Sequence, residues 1–190
     1  MLTVLIGKTC SGKNAVLSKL VKEYSWKPIV TYTTRPKRKG EKEGREYHFI
    51  DGDDFKRKID DGFFAEWKSY NVDGQVWYYG SPLKEIEEAA QDNDNHIIIL
   101  NPDGVEDVFI TVQSSKNIHV VYLYANRKTI LNRLKKRKDT HDSIERRMRA
   151  DDDDFRDAVS LSDIIVYNND GDPLDDVVRQ VYSRAVKISF

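Results

Sequence analysis

A single cysteine, Cys10, leaves no partner for an internal disulfide, and usage this sparse suits a reducing compartment. Five prolines and ten glycines are scattered over 190 residues, which excludes a collagenous or low-complexity chain. No apolar run approaches the ~20 residues of a membrane-spanning helix. Strand-like residues follow Met1 directly, leaving no space for a secretion signal, so the expected location is cytoplasmic, with no membrane partner. Charge of one sign is also missing: 31 Lys and Arg stand against 32 Asp and Glu. Without a global positive field, nucleic acid is not an expected partner, and any anion must be held by local clusters. What remains is a polar chain long enough for one domain with a real core.

The most informative stretch is Gly7-Lys8-Thr9-Cys10-Ser11-Gly12-Lys13-Asn14, directly after the apolar run Leu2-Thr3-Val4-Leu5-Ile6. Two glycines around a four-residue spacer, then lysine, suit a loop whose backbone N–H groups wrap a phosphate while the ammonium reaches the outer phosphates. The following residues, Ala15 to Val21, have helical spacing, and a helix start adds partial positive charge. The bland alternative is an ordinary strand–turn–helix connection. One position is off pattern: the Ser or Thr that touches magnesium is replaced by Asn14. Cys10, inside the loop, reads as a small tolerated side chain or as an oxidation-sensitive one.

Four short runs are apolar almost throughout: residues 2–6, 96–100, 119–123 and 163–167, with 29–32 a fifth candidate. Continuous β-branched runs separated by helical stretches call for a parallel sheet covered on both faces. Helices are expected near 13–24, 82–92, 103–114, 126–138, 140–158 and 172–187. The fold class is therefore α/β, a doubly wound parallel sheet. Residues from about 33 to 80 break the rhythm and read as strands of a small antiparallel sheet, with Asn71 to Gly74 as a hairpin turn. Asp51 is placed to cap a short helix running through Asp60. Such an insert at the carboxyl ends of parallel strands is a usual substrate holder. The run Asp151 to Asp154 cannot converge on one ion, because consecutive helical residues point in different directions; it reads as a solvated helix face.

The insert opens with Thr33-Thr34-Arg35-Pro36-Lys37-Arg38-Lys39-Gly40-Glu41, continues through Gly44 and Tyr47-His48-Phe49, and later holds Phe64-Ala65-Glu66-Trp67 and Tyr78-Tyr79-Gly80-Ser81. With the loop at residues 7–14, this pattern resembles the guanylate kinases, nearly end to end. The resemblance implies a P-loop core at 1–32 and 82–190, a helical lid at about 126–150, and a GMP-binding insert at 33–81. It implies a donor site for ATP at Gly7, Thr9, Cys10, Ser11, Gly12, Lys13, Asn14, Ala15 and Asn168. It implies an acceptor site at Thr31, Arg35, Arg38, Tyr47, Glu66, Tyr79, Ser81 and Asn101. Arg35 and Arg38 match phosphate-holding arginines, a task suited to planar, permanently charged forks. Glu66 matches the carboxylate that accepts from the two adjacent donors of guanine, a pair adenine lacks. Ser81-Pro82 can also be read as a helix cap followed by proline at the first helical position. Arg133, Arg137 and Arg147 match lid arginines which, with Lys13, would be catalytic.

The implied reaction moves the γ-phosphoryl of ATP, with Mg²⁺ as cofactor, onto GMP or dGMP. The acceptor phosphate is already largely anionic, its second pKa being about 6, so alignment and charge neutralisation suffice. Magnesium would meet Asn14 directly or through water. Departures from the pattern are Asn14 itself, Ile99-Leu100-Asn101 in place of Asp-x-Asp, and a lengthened hairpin at 70–77. They leave open a kinase for other nucleoside monophosphates, or a non-catalytic module for phosphorylated ligands. Monomer and homodimer are both compatible with the sequence.

Overall fold

The computed structural model describes residues 1–72, 74–112, 116–136 and 144–188. In chain order the first half holds β1 (Leu2–Ile6), α1 (Lys13–Tyr24), β2 (Lys27–Pro28), β3 (Tyr32–Thr33), β4 (His48–Phe49), α2 (Gly52–Asp60), β5 (Phe64–Val72) and β6 (Gln75–Pro82). The second half holds α3 (Leu83–Gln91), β7 (His96–Ile99), α4 (Pro102–Thr111), β8 (Ile118–Tyr124), α5 (Arg127–Lys136), α6 (Ile144–Asp154), β9 (Ile164–Tyr167) and α7 (Leu174–Ile188).

The main sheet has the order β2-β7-β1-β8-β9, with every pair parallel. Every residue of β1 is buried, which is why that run shows no polar alternation. Its side chains alternate between two cores. Leu2, Val4 and Ile6 pack with Ile86 of α3 and with Val105 and Val108 of α4. Leu5 packs on the other face with Val16 and Leu20 of α1 and with Val177, Val178 and Val181 of α7. Helices on both faces make the sheet doubly wound, as expected from the apolar runs.

The candidate strand at 29–32 proves to be a crossing. Lys27–Pro28 pairs with β7 at the sheet edge, where a proline costs no ladder bond. Ile29 still donates to the Ile97 carbonyl, but the Thr31 carbonyl already accepts from His48 N. The chain changes sheets within three residues.

The second sheet has the order β4-β3-β6-β5. It is mixed rather than wholly antiparallel: β3 and β4 run parallel, because residues 34–47 form a crossover that returns the chain in the same direction. The Asp51 carboxylate accepts from Asp54 N at 2.8 Å and caps α2. That helix buries Phe55 completely, stacked 4.5 Å from the Phe64 ring. Gly80 has to be glycine here, since a Cβ would come within 2.8 Å of Phe64 and 2.9 Å of Phe55. In the hairpin turn Asn71 Oδ1 accepts from Gly74 N at 3.1 Å, while Asp73 lies outside the described residues. The helix expected over 140–158 is described over Ile144–Asp154; residues 140–143 lie outside the description, and the chain turns after Asp154, burying Phe155 and Ala158.

Candidate functional site

The loop between β1 and α1 takes its shape from its two glycines. A Cβ at Gly7 would stand 2.6 Å from Ser11 Oγ and 2.7 Å from the Leu123 carbonyl of the neighbouring strand. Gly12 has φ +102° and would collide with the Asn168 amide if it carried a side chain. Cys10 takes a left-handed backbone, φ 59°, without being glycine, a conformation that disfavours L-residues. Its side chain packs against a small cluster formed by Ala125, Ile130, Leu134 and Met148. Lys13 Nζ donates to the Gly7 carbonyl and, at 3.2 Å, to that of Lys8. From behind, Asn168 Nδ2 donates to the Ser11 carbonyl at 2.7 Å, and Arg133 reaches the carbonyls of Cys10 and Ser11 at 3.2 Å. Asn14 and Ala15 are exposed on the first turn of α1.

A cavity of about 920 Å³ joins this loop to the insert. Its lining includes Gly7, Thr9 and Lys13 from the loop and its helix, together with Thr31, Arg35, Arg38, Tyr47, Glu66, Tyr79, Ser81, Asn101 and Arg147. Arg35 is buried, and its guanidinium donates to both carboxylate oxygens of Glu41 at 2.9 and 3.0 Å. Burial opposes its charge, but Glu41 and the nearby phenols outweigh that, and its pKa is raised. The Tyr47 and Tyr79 rings meet edge to face 5.9 Å apart, with Arg35 over Tyr47. The pocket is thus a cationic fork framed by aromatic rings and preorganised by an internal carboxylate.

Deeper in the cavity, burial raises the Glu66 pKa, while a hydrogen bond from Ser81 Oγ at 2.5 Å works in the opposite direction. Gly104 of α4 also crowds this group, since a Cβ there would lie 3.3 Å from the Glu66 carboxylate. Ser81 does not cap α3: the strand continues to Pro82, which holds the cap position without a side-chain bond. The serine hydroxyl is committed to Glu66 instead. Asn101 caps α4, accepting from Gly104 N at 3.0 Å, and donates to the Tyr70 hydroxyl at 3.0 Å. Desolvation pushes Tyr70 up to about 12. Lys68, which also lines the cavity, pairs with Asp103.

Not every expected residue reaches the cavity. Cys10, Ser11 and Gly12 of the loop, Asn14 and Ala15 of α1, and Arg133 and Asn168 do not line this space, and Arg137 lies outside the described residues. Among the described residues no three His, Cys, Asp or Glu side chains form a metal-holding group. A residue absent from the expectations stands out: the Asp151 carboxylate, on α6, accepts from Thr9 N at 2.8 Å. The aspartate run is therefore not simply solvated. A carboxylate spaced far from the loop in sequence gives no local signal of such a contact.

A family model described as Guanylate kinase matches residues 1–185. A guanylate kinase of Nitratidesulfovibrio vulgaris is 29% identical over 181 residues, covering 94% of this chain and 84% of the relative. One from Caldanaerobacter subterraneus is 29% identical over 188 residues, covering 95% and 85%. The crystal structure of guanylate kinase from Anaplasma phagocytophilum superposes with a TM-score of 0.74 at 20% identity, covering 98% of this chain and 85% of that one. That structural likeness speaks for the fold.

Proposed function

The chain belongs to the guanylate kinase family of nucleoside monophosphate kinases, and from that premise we propose that it transfers the γ-phosphoryl group of ATP to the phosphate of GMP or dGMP. One observation carries the reading: a single cavity is lined both by the glycine-lysine loop and by Arg35, Arg38, Tyr47 and Tyr79 with Glu66. Two anionic nucleotides could face each other across it.

On this reading the loop holds the donor's phosphates and Lys13 exchanges its carbonyl contacts for them. Arg35 and Arg38 hold the acceptor's phosphate, with the Tyr47 and Tyr79 hydroxyls beside it. Glu66 accepts from the guanine edge, and a wrong base would leave a buried carboxylate unpaired. Arg147, and Arg146 beside it, bring further positive charge to the transferring group. Arg133 acts from behind, fixing the loop's carbonyls. No base is required, because the acceptor oxygen is already anionic.

Magnesium fits this donor set in one way. The described residues offer an exposed amide oxygen at Asn14 next to Lys13 rather than a carboxylate cage, which suits an ion that keeps waters and substrate phosphates as ligands. Bound there, it would supply charge neutralisation on the phosphates.

The test is ADP release with ATP, Mg²⁺ and each of GMP, dGMP, AMP, UMP and CMP. Turnover with GMP and dGMP well above the others is the expected result. Preference for a pyrimidine or adenine acceptor would reassign the acceptor, and no turnover with any would leave a phosphate-binding module.

A further inference from the structure

Helix α6 carries its acids at the wrong end. Asp151, Asp152, Asp153 and Asp154 occupy its C-terminal turn, with no basic residue there, and negative charge opposes the helix dipole at that end. Three of the four have compensating partners, and two of them, Asp151 and Asp152, find one in the loop. The Asp151 carboxylate accepts from Thr9 N at 2.8 Å. Asp152 takes the Lys8 ammonium and, at 3.1 Å, Arg127. Asp153 instead meets Arg156, one turn along.

Asp151 is half-buried on the cavity wall, and Thr9 lies on the same wall. The groups facing its carboxylate are Thr9 N, Lys13, Lys8 and Asp154. Three of these four are the loop's own N–H and cations, the set that a phosphate needs. A carboxylate thus already sits where the loop offers its charge, and two anions cannot both accept from one N–H.

We propose that Asp151 is an internal competitor for the donor nucleotide: its carboxylate and a donor phosphate oxygen are alternative partners of Thr9 N–H and its flanking lysines, so that Asp151 sets donor affinity. The inference rests on the donor reading of the loop given above. Binding ATP then requires the Asp151 side chain to leave Thr9, and the helix that carries it also brings Arg146 and Arg147 to the cavity. Donor arrival and adjustment of α6 become one event.

The experiment is calorimetric titration of ATP into the full chain, once with Mg²⁺ and once with EDTA, for the wild type, Asp151→Ala, Asp151→Asn and Asp153→Ala. Removing a charge-assisted competitor should tighten ATP binding about tenfold in D151A under both conditions, the scale of one hydrogen bond to a charged group. D151N, whose amide oxygen can still accept from Thr9, should fall between; it carries the test if the alanine variant does not fold. D153A should match the wild type, and GMP affinity should be unchanged throughout. Equal ATP affinity in D151A and D153A overturns the proposal. Weaker binding in D151A only with Mg²⁺ also overturns it, by making the carboxylate a metal holder, and weaker binding under both conditions makes it a donor contact. Absence of ATP binding in all four proteins removes the donor reading itself, and the competitor with it.

Discussion

Glu66 is under two opposed demands. Burial holds its pKa above the ordinary value in the folded chain, so the folded state retains a proton that the unfolded chain has already released. Between the unfolded pKa, about 4.3, and the raised folded one, stability falls as pH rises; the penalty is complete above the folded pKa and vanishes below the unfolded one. Glu66→Gln keeps an oxygen for Ser81 and removes the titration. Its melting temperature should exceed that of the wild type at pH 7, with the gap closing near pH 4. The same change should lower the preference for GMP over AMP, read as a ratio of kcat/KM, by about 10- to 100-fold, the scale of lost hydrogen bonds to a charged group. Unchanged selectivity would take Glu66 out of base recognition. Lys13→Met tests the loop: kcat should drop about 10²- to 10³-fold, as for removal of one transition-state donor, with the fold intact by circular dichroism. Single residues were unevenly legible in the sequence. Asp51 announced itself as a cap because capping is local, whereas Ser81 offered two local readings and only its distance to Glu66 decided between them. Asp151 had no local signal at all.

At the scale of elements, the apolar runs predicted β1, β7, β8 and β9 because a strand covered on both faces must be apolar along its whole length. Residues 29–32 misled for the same reason. Ile29 is buried and its neighbours are β-branched, yet burial does not say which sheet a residue joins, and pairing across distant sequence does. The parallel β3–β4 pair was hidden likewise, since a two-residue strand has no periodicity to read. The insert depends on α2, a nine-residue helix held by one cap and one fully buried ring. Asp51→Ala should cost about 1 kcal/mol, measured by urea unfolding, and should raise KM for GMP more than KM for ATP, because α2 packs, through Phe55 on Phe64, against the sheet that carries Glu66 and Tyr79. Equal shifts in both KM values would mean that the insert and the core do not separate in this way.

Taken whole, the molecule is nearly neutral, with a net charge of −1, yet its cavity gathers Lys13, Arg35, Arg38, Arg146 and Arg147 against only Glu66, Asp151 and Asp154 among the described residues. With an overall charge of −1, positive charge in the cavity leaves the rest of the surface net negative, so anionic substrates should be steered to the cavity and away from the remaining surface. Steering acts over distances comparable to the Debye length, about 10 Å at 0.1 M salt and shorter above it. With ATP saturating and Mg²⁺ fixed, kcat/KM for GMP should therefore fall severalfold between about 20 and 300 mM NaCl. Stability should respond little over the same range, because the exposed ion pairs that salt screens are worth about 0–1 kcal/mol each. Arg38 is exposed at the mouth of the acceptor side, so Arg38→Gln should both lower kcat/KM and flatten its salt dependence, whereas a charge removed on the far surface, as in Arg184→Gln, should shift neither. A slope that Arg38→Gln leaves unchanged would locate the salt effect elsewhere, and a wild-type kcat/KM indifferent to salt would mean that the cavity's cations act only after contact.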